Sequence, residues 1–177
     1  VNFAATYSKY IRLTGNGSSY PTATVNAQSV QFAGLTGSGM SNPQLFDAED
    51  KIDHRTDFNS LGFVSVKANN SYVTVNSFYT PDTSVPSIQN AVTSASPGDI
   101  VNLDSGTFNE SVTIGNSITL LGSGIGATIL KPAVSCTGDG LTITAANVNV
   151  RHLTVQEYNY GIRTSSSNTD LYYVESR

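Results

Sequence analysis

Short apolar runs broken by Gly, Asn, Asp and Ser set the rhythm of this chain from residue 100 to its end. Residues 100–103, 112–114, 118–121, 128–130, 141–144, 148–150, 153–155 and 171–174 are strand-length segments rich in β-branched and aliphatic residues. Val148 and Val150 share one face, the phase slips at Arg151-His152, and Leu153 and Val155 resume it. Side chains alternate with a period of two, so such a slip predicts a bend between two flat sheets. The step from Val148 to Leu171 is comparable to a solenoid repeat of about 20–25 residues. Two-residue hairpin turns are mostly absent here, which argues against a β-sandwich.

Ahead of these runs, Ile88, Ala91, Val92 and Ala95 fall at i, i+3, i+4 and i+7. This single apolar stripe predicts a helix from Pro86 to about Ala95, broken at Pro97-Gly98. A short amphipathic helix before stacked strands suits a cap over the open core of the first coil.

The pattern differs upstream. Residues 10–13, 23–25 and 30–32 are short β-like runs between turns such as Gly15-Asn16-Gly17 and Gly37-Ser38-Gly39, which favours antiparallel or edge strands. Ser41-Asn42-Pro43 is a helix start, with Asn42 able to cap and Pro43 suited to the first turn. Leu45, Ala48, Glu49 and Ile52 follow at helical spacing. Residues 63–67 and 72–75 alternate as the arms of a hairpin around Asn69-Asn70. The stretch 77–85, containing Thr80-Pro81-Asp82-Thr83, has the character of a linker. The expected architecture is all-β: a β-rich module with one short helix over 1–80, then the capped start of a right-handed parallel β-helix over 81–177, left incomplete at its C-terminal end.

Composition narrows the partners. Charged residues are 12% of the 177 and apolar residues 38%, against about 25% charged in an average protein. Ser, Thr and Asn must supply the polar surface, as the outward ladders of stacked coils allow. The net charge of −4 and the lack of a basic cluster argue against nucleic acid as a partner. No apolar run of about 18 residues exists, so membrane insertion is not expected. A first residue that is Val, without a signal-peptide pattern, suggests a piece of a larger precursor. The lone Cys136 allows no intrachain disulfide and is expected as a small buried residue. Asn16, Asn69 and Asn109 head Asn-x-Ser sequons that matter only in a glycosylating secretory setting.

The strings Ser87-Ile-Gln-Asn-Ala-Val92, Pro97-Gly-Asp-Ile-Val101, Gly106-Thr-Phe-Asn-Glu-Ser-Val-Thr-Ile114, Ile118-Thr-Leu-Leu-Gly122 and Ala127-Thr-Ile129 resemble the N-terminal coils of the pectin-lyase-like superfamily. The likeness is strongest to the pectinesterase-type start with its Gly-x-Tyr-x-Glu motif, where Phe108 stands for Tyr and Glu110 is kept. Gly140–Ile143 and Asn147–Val155 resemble repeats of bacterial extracellular β-helix proteins, and residues 44–67 a module placed before them. The resemblance implies a secreted, extracellular or cell-surface location.

Candidate chemistry is sparse. A pectinesterase of this kind carries its carboxylates and oxyanion donors on middle coils, beyond Arg177; Glu110 belongs to the opening motif and is expected as an outward carboxylate at a turn. A lyase of this fold would use Ca²⁺ with a basic residue. Asp99, Asp104, Asp139 and Asp170 are too scattered to name a ligand set and suit turns, so no cofactor is identified. Asp47, Glu49, Asp50, Asp53, His54, Arg55 and Asp57 form the densest charge group, expected as a solvated helix with pairs such as Asp47–Lys51. His152 is expected at a solvent-facing corner. Tyr158, Tyr160, Tyr172 and Tyr173 are the candidates for carbohydrate binding, since aromatic faces pack on the apolar faces of sugars. The expected function is a non-catalytic structural, adhesive or glycan-contacting module, with polysaccharide or neighbouring copies of itself as partners through head-to-tail assembly. The alternative is the N-terminal part of a polysaccharide lyase or carbohydrate esterase.

Overall fold

Most strands pair with a segment about one repeat away and not with their neighbour in sequence, so most ladders are parallel. The computed structural model describes residues 1–15 and 19–177. The Asn16 sequon and the centre of the Gly15-Asn16-Gly17 turn therefore lie outside the described residues. In the N-terminal part, β1 (Asn2–Phe3), β2 (Ile11–Arg12), β3 (Val25–Asn26), β4 (Gln31–Phe32) and β5 (Leu35–Thr36) are brief. Helix α1 (Asn42–Glu49) follows, then β6 (Ile52–Asp53), β7 (Val64–Ser65) and β8 (Asn70–Val73). Antiparallel pairing occurs in β4–β5, while β1–β4, β2–β6 and β3–β7 are parallel. Ser41, not Asn42, caps α1: its N–H and hydroxyl donate to Gln44 Oε1 at 2.9 and 3.0 Å.

The expected hairpin over 63–75 does not form. Strand β7 pairs with β3, and β8 pairs in parallel with β9 (Ile100–Leu103), Asn70 opposite Ile100 and Val73 opposite Leu103. Alternation specifies which faces are buried, and it leaves the partner strand open. The β8–β9 ladder crosses the 77–85 segment, which packs down through the buried ring of Tyr79 on Phe58.

Helix α2 (Ile88–Ser94) precedes β9 and buries Ile88, Ala91 and Val92, the stripe expected of a cap. After β9 come β10 (Gly106–Phe108), β11 (Val112–Ile114), β12 (Thr119–Leu121), β13 (Thr128–Leu130), β14 (Asp139–Ile143), β15 (Asn149–Val155), β16 (Tyr160–Thr164) and β17 (Asp170–Ser176). Strands β8, β9, β12, β15 and β17 lie side by side, all parallel, and β11, β14 and β16 form a second parallel sheet. Opposite β17, β15 serves two partners: Asn149–Arg151 pairs with β12, while Thr154 and Val155 pair with β13, which pairs with β10. The sheet therefore curls within β15, at His152, whose φ is +57°. The phase slip in the sequence is this bend. Val150, one alternation period beyond Val148, is the partner of Leu171. The chain is thus predominantly β with a curled parallel sheet, an arrangement compatible with the β-helix expected of it.

Among the strands after residue 100, two escape the hydrophobic pattern. β10 buries only Phe108, and β16 offers Ile162 as its single aliphatic residue. Ladder pairing, not amphipathicity, holds them. Two apolar cores result. One runs from α2 and Val73 through Leu103, Phe108, Ile114, Leu120, Leu130, Ile143, Val150 and Val155. The other gathers Phe32, Leu45, Phe46, Ile52, Val64 and Tyr72. At Gly122 a Cβ would collide with the carbonyl oxygen of His152 in the next strand layer, so the corner requires glycine.

Phe108 is fully buried in the larger core. Truncation to Ala is expected to cost about 3–5 kcal/mol, from lost transfer energy and the cavity left behind. Urea denaturation measures this, and a loss under about 1 kcal/mol would contradict the packing described.

Candidate functional site

The acidic segment after α1 is not a solvated face. Glu49, Asp53, His54 and Asp57 are each at most 3% exposed. Helix α1 turns Glu49 inward beside Phe46, and β6 carries Asp53 next to the buried Ile52. His54 then sits at the centre: its Nε2 lies 2.8 Å from Glu49 Oε1, and its Nδ1 accepts the Val64 N–H at 3.0 Å. Asp57 Oδ2 accepts the His54 N–H at 2.8 Å, and the Asp57 N–H donates back to the His54 carbonyl at 3.0 Å. Asp53 is paired with Lys9 at 2.5 Å and Arg12 at 3.3 Å. The expected Asp47–Lys51 pair is replaced by a bond from Lys51 Nζ to the Ala5 carbonyl, 2.8 Å. The apolar residues around the acids, Ile52, Leu61 and Phe63, were the available signal that this segment turns inward.

These contacts decide the chemistry. A backbone N–H occupies the Nδ1 lone pair, so the His54 proton sits on Nε2 and is donated to Glu49. Burial lowers the imidazole's affinity for a second proton, and the carboxylates of Glu49, Asp57 and Asp53 outweigh it, giving a net upward direction. That proton would have to displace the Val64 bond. Burial, then the charge of Glu49, pushes the Asp57 carboxyl up to about 7. Glu49, His54 and Asp57 place one ligand atom each within 4.8 Å of one another, the spacing of a metal site. The imidazole does not fit that role. A metal-bound histidine donates its second ring N–H outward, whereas here the second nitrogen accepts. With no free nitrogen and 1% exposure, His54 is equally unsuited to act as a catalytic base. The cluster is a hydrogen-bonded pin that holds residues 50–64.

The four tyrosines are separated. Tyr158 is 8% exposed and donates its hydroxyl to the Glu110 carbonyl, so it packs as part of the core. Tyr172 and Tyr173 on β17 are exposed, with ring centroids 4.5 Å apart, edge to face. Tyr160 is exposed on the other parallel sheet, under the Arg163 guanidinium at 4.5 Å. His152 lies at the corner, half-buried, its ring stacked on Tyr173 at 5.4 Å.

Glu110 is no outward turn carboxylate. It accepts the Ile88 and Gln89 N–H groups and the Ser87 hydroxyl, closing the N-terminus of the cap helix. Burial raises its pKa, against the lowering by those donors. Cys136 is exposed on a turn at φ +59°, not buried. Asp99 and Asp104 brace turns, while Asp139 and Asp170 pair with Arg163 and Arg151. They form no common cation site among the described residues. Also among the described residues, no helix is long and apolar enough to cross a membrane. Comparison with known protein families, curated proteins and solved structures finds no match.

The Asp57 carboxyl has a folded pKa of about 7 against an ordinary 3.8. Its contribution is therefore complete below about pH 4 and is lost as pH rises towards 7. Asp57→Asn keeps an oxygen for the His54 N–H and removes the ionisation. This variant is expected to show a flatter stability profile over that window, followed by thermal unfolding at each pH; an unchanged slope would contradict the assignment.

Proposed function

We propose that this chain is a non-catalytic module of a secreted or cell-surface protein, built as the capped start of a right-handed parallel β-helix and serving in structure, adhesion or glycan contact. Stacked parallel strands, the cap helix and the bend at His152 support the architecture. In this proposal residues 1–80 are the β-rich module and 81–177 the coil start, the two meeting at β8. The single observation that carries the functional part is the exposed ring cluster on that scaffold. Tyr172 and Tyr173 stand at right angles, 85°, beside His152, and Arg151 lies 6.0 Å from the Tyr172 ring. Rings and a guanidinium carried on paired strands suit the alternating apolar and hydroxyl faces of a polysaccharide. The exposed Leu171 on the same strand supports head-to-tail contact with another copy as well.

On a glycan array, wild-type protein is expected to bind, and Tyr172→Ala with Tyr173→Ala to weaken binding on the order of tenfold, about 1.4 kcal/mol, with unchanged circular dichroism. Tyr160→Ala tests the second surface in the same way. Ester loss or unsaturated product from polyuronates would overturn the non-catalytic reading. For assembly, light scattering across a concentration series should show growth in mass; a monodisperse monomer throughout would contradict it.

A further inference from the structure

A polar cleft of about 350 Å³ lies between β7, β8 and the residues flanking β3 on one side and the C-terminal end of α2 on the other. Its lining includes Gln28, Arg55, Phe63, Asn69, Ser71 and Asp99. We infer that this cleft is a binding site for an acidic sugar unit, an inference that rests on the glycan-contact reading and names a second place for it.

Three features carry the inference. Ser71 is 5% exposed, and its hydroxyl is buried with no hydrogen-bond partner. A buried hydroxyl left unsatisfied is costly, and a ligand hydroxyl at this wall supplies what the protein does not. Arg55 donates Nε–H to the Leu61 carbonyl at 3.0 Å, which fixes the guanidinium while leaving its terminal N–H groups available. Among the described residues no carboxylate lies within ion-pair distance of it. A planar fork held this way matches a ligand carboxylate in two-point contact. Third, Phe63 is half-buried, packed on His54 at 5.1 Å, and it lines the cleft as an apolar platform.

The remaining wall fits hydroxyl groups. Asp99 uses Oδ2 to accept the Ser96 N–H at 2.8 Å, which leaves its other oxygen as an acceptor. Gln28 donates from Nε2 to Ser65 Oγ at 3.1 Å, which leaves its carbonyl oxygen. Sugar hydroxyls both donate and accept, as such a mixed wall requires. A lining with one arginine and one aspartate gives no cationic cluster for a polyphosphate. The volume is in the range of small-ligand sites. Pin and cleft are linked, because Arg55 follows His54 directly and the Val64 N–H bond to His54 sets the strand that carries Ser65 and directly follows Phe63.

Titration calorimetry on the full chain tests this with oligomers of glucuronic or galacturonic acid against neutral glucose oligomers of equal length. Wild type is expected to bind the acidic oligomers at least tenfold more tightly. Arg55→Gln should erase that preference. Ser71→Ala, which removes only the unsatisfied hydroxyl, should weaken binding severalfold without lowering the melting temperature, and it decides the matter if Arg55→Gln fails to fold. Acidic-oligomer binding that survives Ser71→Ala but is lost in Tyr172→Ala with Tyr173→Ala would overturn this site and leave the glycan reading intact. Equal affinity for neutral and acidic oligomers would overturn the acidic preference. Absence of any glycan binding would overturn both.

Discussion

Strand β8 sends alternate side chains into two different cores. Tyr72 packs edge-on against Phe46 of α1 in the N-terminal core, while Val73 joins α2 and the stacked strands. The period-two geometry of an extended chain makes this possible with four residues. Its hydrogen bonds to β9 then give the first coil a neighbour in register. Whatever holds β8 in place therefore holds the orientation of the N-terminal part against the parallel strands, and with it both walls of the polar cleft.

Polar groups reinforce the same junction. The His54 pin fixes the segment leading into β7, and Thr56 offers its carbonyl to the Asn90 side chain of α2 at 3.2 Å. Glu110 closes the other side of that helix by accepting its first N–H groups. Buried charges of this kind are weak contributors to stability but strict about geometry, because removing one partner strands the other. Asp53 has two cations beside it and Glu49 accepts the imidazole N–H, whereas Asp57 accepts the His54 backbone N–H, and burial with the charge of Glu49 pushes its carboxyl up. The same accounting explains why a ligand-like spacing of Glu49, His54 and Asp57 does not make a metal site: the tautomer is already committed.

Much of the parallel half was legible from periodicity. The α2 stripe, most of the short strands and the bend at His152 follow from which residues must turn inward. β10 and β16 were not legible, since each contributes few apolar residues and is held by pairing with another layer. The 63–75 segment misled because alternation names a face and not a partner. At the site level, charge density suggested solvent exposure for Glu49, Asp53, His54 and Asp57. Their burial depends on Lys9, Arg12 and the Val64 N–H, all distant in sequence. Tyr158 is buried through its contact with Glu110, again a long-range effect. Tyr160, Tyr172 and Tyr173 are exposed.

If β8 joins the two cores, they must open together. Native-state hydrogen exchange on the wild-type chain and on Tyr72→Ala measures this directly, comparing β6 and β7 with β9 and β12. The account predicts that the most protected amides of both parts share one opening free energy, and that Tyr72→Ala lowers both by the same amount. Faster exchange confined to the N-terminal strands, with β9 and β12 unchanged, would contradict it.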